Sequence, residues 1–212
     1  MQPVRVIGIA GPSCSGKGTL THWLAARLAA DVLPLDAYYF PLDDKTVEER
    51  ARVNFDHPES IDHELLLRHL SHVLEGRTVE RPVYDFARHT RKAETISLSP
   101  TPFLILEGLF ALHWEPLRKL QFASVYIDAP DRVCLDRRLD RDQRERGRSA
   151  ESILEQYRAT VQPMRAAYID PDTRYAGLVV DGTQPVEDNG NRVVRFLEAT
   201  TIKARSGVGA TA

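Results

Sequence analysis

The sequence predicts a three-layer α/β fold with a mostly parallel sheet. A β-branched run, Val4 to Ala10, passes through a glycine-rich turn into apolar residues at helical spacing. Further short strand patterns alternate with helical ones towards the C-terminus, and two of those strands are continuously rather than alternately apolar, as strands covered on both faces are. At 212 residues, 42% of them hydrophobic, the chain suits one domain with a substantial core.

Val4 to Ala10 is the first strand, and Leu20, Trp23, Leu24 and Leu28 mark the helix after the turn. Asp31 to Leu35 is a second short strand ending at Asp36, followed by Tyr38, Tyr39 and Phe40. Ser60 is expected to cap a helix carrying Ile61, Leu65, Leu66, Val73 and Leu74, with Gly76 as its stop. Residues 79–98 mix Val83, Tyr84, Phe86, Thr95 and Ile96 around the basic centre Arg88, His89, Arg91 and Lys92, the pattern of an inserted β-hairpin. Phe103 to Leu106 and Ala123 to Ile127 are the continuously apolar strands, ending in Glu107-Gly108 and Asp128-Ala129-Pro130. Two charged helices follow, Asp131 to Arg146 stopped by Gly147 and Ser152 to Tyr168, then a last strand, Leu178 to Val180, and a helix core, Val193 to Leu197. A single domain is expected over 1–205, and the Gly- and Ala-rich remainder, 206–212, is expected to be disordered.

Lys plus Arg number 28 against 30 Asp plus Glu, a formal charge of −2, so neither nucleic acid nor anionic membrane is implied as a partner and any anion site must be local. The N-terminal apolar run is too short for a signal peptide and no later stretch approaches a membrane span, so a cytoplasmic enzyme is expected. Cys14 and Cys134 are too few for a disulfide framework or a zinc site and are expected to be reduced thiols.

Phosphoryl transfer needs a polyanion held by many donors without steric obstruction, and a glycine-rich turn entering a helix supplies backbone N–H groups and a positive helix end. Gly11, Pro12, Ser13, Cys14, Ser15, Gly16, Lys17, Gly18 and Thr19 fit that requirement: two glycines for the turn, and a lysine to reach the β- and γ-phosphates. One departure stands out. Gly18 occupies the place where a Ser or Thr hydroxyl usually binds Mg²⁺, leaving water or Thr19 to fill that position. Asp36, at a strand's carboxyl end, is the best-placed base or orienting group for an alcohol acceptor, and Glu107 is placed to bind the metal or its water, with Asp36 as a second candidate metal ligand.

Several segments then resemble one family in that family's order: Asn54-Phe55-Asp56-His57-Pro58-Glu59-Ser60-Ile61-Asp62, Tyr84-Asp85-Phe86 with His89-Thr90-Arg91, Leu106-Glu107-Gly108, and Arg141-Asp142-Gln143-Arg144-Glu145-Arg146-Gly147-Arg148. With Glu155-Gln156-Tyr157, Pro163-Met164 and Arg174-Tyr175-Ala176, they resemble the uridine (uridine-cytidine) kinases over roughly Arg5 to Gly182. The resemblance implies a P-loop NTPase fold with an inserted hairpin and a helical Arg-rich lid at about 131–150. It implies ATP as donor, with GTP left open, Mg²⁺, a pyrimidine nucleoside as acceptor, and a homo-oligomer, a tetramer.

It implies Asp36 as base toward a 5′-hydroxyl, Asp56 and Arg138 on the ribose hydroxyls, and Tyr84 and His89 at the pyrimidine edge. Tyr39, Phe55 and Phe86 would be walls, and Arg148 and Gln156 would complete the acceptor site. The alternation of Arg132, Arg137, Arg138, Arg141, Arg144, Arg146 and Arg148 with acids is compatible with a solvated face or a nucleic-acid arm; the resemblance favours a lid whose Arg141 and Arg146 close over the phosphates. The loop ending also resembles nucleoside monophosphate kinases, but Asp36, the Asp56 motif and the hairpin argue against them; sugar-phosphate kinases are more distant by pattern and would not need the Tyr84 and His89 base pocket. Gly18 keeps a third reading in view, a non-catalytic nucleotide sensor.

Overall fold

Adjacent residues of the first strand enter opposite cores, which is what places a sheet between two layers. In the computed structural model, which describes residues 3–207, Val6 belongs to one apolar cluster and Ile7 and Ile9 to the other. In chain order the elements are β1 (Arg5–Ala10), α1 (Lys17–Leu28), β2 (Asp31–Pro34), α2 (Val47–Arg50), α3 (His63–Leu74), β3 (Val79–Asp85), β4 (Thr90–Leu98) and β5 (Phe103–Glu107). They continue with α4 (Glu115–Lys119), β6 (Ala123–Asp128), α5 (Asp131–Arg146), α6 (Ala150–Gln156), α7 (Gln162–Met164), β7 (Leu178–Asp181) and α8 (Val186–Gly207).

The main sheet has the order β2-β5-β1-β6-β7, all parallel. Leu20 and Leu24 of α1 and Val193 and Leu197 of α8 cover one face through Ile105, Val125 and Val180. Leu66, Leu70 and Val73 of α3, with Tyr38 and Phe110, cover the other through Leu104, Leu106 and Tyr126. The chain leaves β1 for β2 on one side, then crosses to β6 on the other, so the carboxyl end of β1 is a topological switch point where ligands bind in open α/β sheets.

β3 and β4 form a separate antiparallel hairpin. Arg91 fastens it to the 3₁₀ turn after β2 (Leu35–Tyr38): its Nε donates to the Tyr39 carbonyl at 2.8 Å, and its Nη2 to the Tyr38 carbonyl at 3.0 Å and to Asp62 Oδ2 at 3.2 Å.

Three local readings are corrected. Asp62, not Ser60, caps α3, accepting the Leu65 N–H at 3.0 Å, while the Ser60 hydroxyl donates back to the His57 carbonyl at 2.6 Å. The single helix expected after Ser152 begins at Ala150, capped by Ser149, and is widened into π turns at Tyr157–Val161 and Arg165–Ile169. Pro163 lies between them, and a proline in a helix removes a donor and crowds the preceding turn. Ser206 and Gly207 belong to α8 rather than to a disordered tail; the rest of that expected tail, 208–212, lies outside the described residues. Among the described residues no helix is long and apolar enough to cross a membrane.

Candidate active site

The loop between β1 and α1 is shaped by backbone constraints. Gly11 has φ of 146°, and a Cβ there would lie 2.3 Å from the Ile127 carbonyl oxygen; Gly16, at the N-terminus of α1, has φ of 107°. Cys14 is also left-handed, at 63°. Around Gly18 the situation is reversed, since beyond its own turn of helix a Cβ would meet no atom of the described residues within 4 Å. The missing hydroxyl is therefore not excluded by crowding. Lys17 is buried and donates to the Pro12 carbonyl at 2.8 Å.

From this loop a cleft of about 1400 Å³ runs across the carboxyl ends of β1, β2 and β5 to the hairpin. Ser13 to Thr19 line it, and so do Asp36, Tyr39, Phe55, Asp56, Tyr84, Phe86, His89, Glu107, Arg138, Arg141, Arg146, Arg148 and Gln156. Of the sequence-selected residues only Gly11 and Pro12 stand outside its lining, as the buried back of the loop.

Parallel pairing of β2 with β5 sets Pro34 opposite Glu107, so Asp36, two residues further on, projects beside that carboxylate. Burial and the Glu107 charge, opposed by Lys17 and reinforced by Asp56, push the Asp36 carboxyl up to about 6. Asp56 is also raised by burial, against the Arg138 charge and the nearby Thr160 hydroxyl. Among the described residues no cluster of three or more His, Cys, Asp or Glu side chains could cage a metal. Two carboxylates beside a phosphate loop nevertheless fit Mg²⁺, which takes one or two carboxylates and completes its shell with water and phosphate.

The far end of the cleft is aromatic. Tyr39 packs against Phe55 and Tyr84, each with centroids 5.2 Å away, Phe55 stacks on His89 at 5.2 Å, and Tyr84 meets Phe86 at 5.3 Å. Among the described residues the buried Tyr84 hydroxyl has no hydrogen-bond partner. Burial lowers the pKa of His89, which favours a neutral imidazole. Opposite this wall, Gln156 Oε1 accepts from Arg148 Nη1 at 2.6 Å and Arg138 Nη2 at 3.2 Å, and Arg138 Nη1 donates to Ser13 Oγ at 3.3 Å.

The Phosphoribulokinase / Uridine kinase family model matches residues 6–188, nearly the whole span that contains this cleft. The chain belongs to that family. It is 43% identical over 182 residues to the uridine kinase of Proteus mirabilis, covering 82% of this chain and 85% of the relative. It is 42% identical over 179 residues to the uridine kinase of Lactobacillus johnsonii, covering 82% and 85%. Among solved structures, the D-glycerate 3-kinase of Cryptococcus neoformans var. grubii shares the fold with a TM-score of 0.63, at 16% identity over 87% of this chain and 88% of that one.

Three residues of this kinase at or beside the site were not singled out for it from sequence. Arg137 donates to the carbonyls of Cys14 at 3.3 Å, Ser15 at 3.4 Å and Gly182 at 3.0 Å, tying the phosphate loop to the turn after β7. Thr160 reaches Asp56 from the first π turn. Asp142 lies fully buried beneath the arginines of α5. No local motif marks the first two; for Asp142 the signal was the density of arginines around it, which reads equally well as surface ion pairing.

Proposed function

We propose that this kinase transfers the γ-phosphate of ATP to the 5′-hydroxyl of uridine or cytidine, giving the nucleoside monophosphate. The observation that carries the reading is the aromatic pocket of Tyr39, Phe55, Tyr84 and His89 joined in one cleft to Asp36 and the phosphate loop. A sugar phosphate needs no such pocket, and an acceptor that is already a phosphate needs no base. The relatives named above as uridine kinases support the same assignment.

In this reading the base stacks against Phe55 and His89 and meets the unpartnered Tyr84 hydroxyl, while Asp56 and Arg138 take the ribose hydroxyls, with Arg148 and Gln156 behind them. Phe86, more than half exposed, closes the rim. Asp36, with its carboxyl near 6, is ionised at neutral pH yet basic enough to accept the hydroxyl proton as the phosphoryl group arrives. Lys17 leaves the Pro12 carbonyl for the β- and γ-phosphates, and Arg141 and Arg146 offset charge on the transferring group. Glu107 and Asp36, with water or Thr19 in place of the hydroxyl absent at Gly18, would hold Mg²⁺, whose charge neutralises the phosphates. GTP is an alternative donor, a tetramer the proposed assembly, and the cytoplasm the proposed location.

The test is Mg²⁺-dependent ADP release from ATP, repeated with GTP, across uridine, cytidine, their monophosphates, purine nucleosides and ribulose 5-phosphate. Turnover confined to uridine or cytidine is expected; turnover with a monophosphate or with ribulose 5-phosphate would replace the proposal. ATP binding without turnover on any acceptor would favour the sensing role. Light scattering on the same sample reads the oligomer.

A further inference from the structure

Four guanidinium groups converge on the fully buried carboxylate of Asp142, and they divide between its two oxygens. Oδ1 lies 2.8 Å from both Nε and Nη2 of Arg141 and 3.3 Å from Arg146 Nη1. Oδ2 faces Arg138 Nε at 3.5 Å and Arg148 Nη1 at 3.7 Å and, among the described residues, makes no hydrogen bond. The Asp142 carbonyl also accepts the backbone N–H of Gly147 and, at 3.1 Å, that of Arg148, so this residue both ends α5 and turns the chain carrying Arg148.

Support of the helix alone does not account for this arrangement. Arg144 and Asp140 form an exposed i,i+4 pair on α5, which supports a helix without desolvating a charge. Burying a carboxylate is costly even when it is paired. The division has a second correlate in the cleft: the Oδ1 partners are the arginines proposed for the phosphates, and the Oδ2 partners are the two that share Gln156 Oε1 in the acceptor half. A carboxylate is rigid and planar, so a displacement of one oxygen moves the other.

We propose that Asp142 is a positioning residue that couples the two halves of the site, orienting Arg141 and Arg146 through Oδ1 according to how Arg138 and Arg148 are engaged beside Oδ2. An acceptor that draws Arg138 and Arg148 onto its hydroxyls shifts Oδ2, and with it the pair that meets the donor phosphates. Nucleoside and donor then bind synergistically. The inference rests on the nucleoside-kinase reading above.

The experiment is calorimetric titration of uridine into the full chain with and without a non-hydrolysable ATP analogue and Mg²⁺, alongside steady-state kinetics. In the parent protein the analogue is expected to tighten uridine binding by about 5- to 150-fold, the usual range of site coupling. In Asp142→Asn, which keeps the size and removes the charge, the two ligands are expected to bind independently with kcat reduced, whereas Asp140→Asn leaves both unchanged. Synergy retained in a folded Asp142→Asn protein overturns the proposal, as does a parent enzyme that turns over uridine but binds the two ligands independently. If circular dichroism shows Asp142→Asn unfolded, Arg148→Lys decides: a weaker ATP analogue, bound without nucleoside contact, supports the coupling, and unchanged analogue affinity and synergy overturn it. A parent enzyme inactive on uridine and cytidine counts against the functional reading itself.

Discussion

The phosphate loop and the arginine segment across the cleft both offer positive charge to the same space, and they are held in opposite ways. The loop is backbone-built: Gly11 holds its φ and its approach to the Ile127 carbonyl because it has no Cβ, and Arg137 clamps two of the loop's carbonyls. The arginine segment is side-chain-built, with its long guanidinium groups gathered by Asp142 and Gln156. A backbone cradle is ready before the ligand arrives and fails when its dihedrals are disturbed. A side-chain cluster can rearrange with the ligand, and fails when a partner charge is lost.

The largest expected effect sharpens the comparison from the acceptor side. Asp36→Asn is expected to lower kcat by about 10²- to 10⁴-fold, the usual contribution of a positioned base, while ATP-analogue affinity stays near that of the parent. In the parent, kcat/KM is expected to fall as pH drops below about 6, where Asp36 gains its proton, and to level off above it. The native carboxyl holds its proton more tightly than the unfolded chain does, because its value is raised from 3.8 to about 6. Stability linked to this group is therefore present at low pH and lost as pH rises between those values. Asp36→Asn should consequently melt higher than the parent at pH 7, but not at pH 4.

Gly11→Ala attacks the backbone-built half. A 2.3 Å approach to a carbonyl oxygen and a left-handed φ are expected to cost about 1–3 kcal/mol of stability and to weaken ATP binding, measured by thermal melting and analogue titration. Phe55→Ala attacks the opposite end. Losing one aromatic stacking face is expected to raise the nucleoside KM about tenfold with the ATP KM unchanged. An equal rise in both would break the division into two halves. The smallest expected effect is that of Gly18→Ser. With open space around the position, stability should change by less than about 0.5 kcal/mol while the Mg²⁺ concentration for half-maximal activity falls, because a hydroxyl joins the metal's ligands.

Much of this molecule was legible because its signals are local. The strand, turn and helix around Lys17, the apolar runs ending at Glu107 and Asp128, and the hairpin segment each announce themselves within a few residues. What was not legible depends on distant partners. Asp62 displaced Ser60 as the cap of α3 because the short turn after Pro58 carries the chain past Ser60, whose hydroxyl turns back to His57. The π turns around Pro163 carry no periodicity distinct from an ordinary helix, yet they set Thr160 beside Asp56.

The sequence by itself determined the parallel three-layer architecture and the phosphate loop, since hydrophobic period and glycine placement are properties of neighbouring residues, while the acceptor-side residues of the cleft were named by resemblance to a family. Tertiary structure alone decided how the charged groups are poised. Asp36 is raised because it is buried and because Glu107, more than seventy residues away, arrives on the adjacent strand, and Asp142 becomes a buried hub rather than one more surface acid because the α5 arginines and the loop after them close over it. Burial and through-space charge depend on packing in three dimensions, and no pattern of neighbours encodes them.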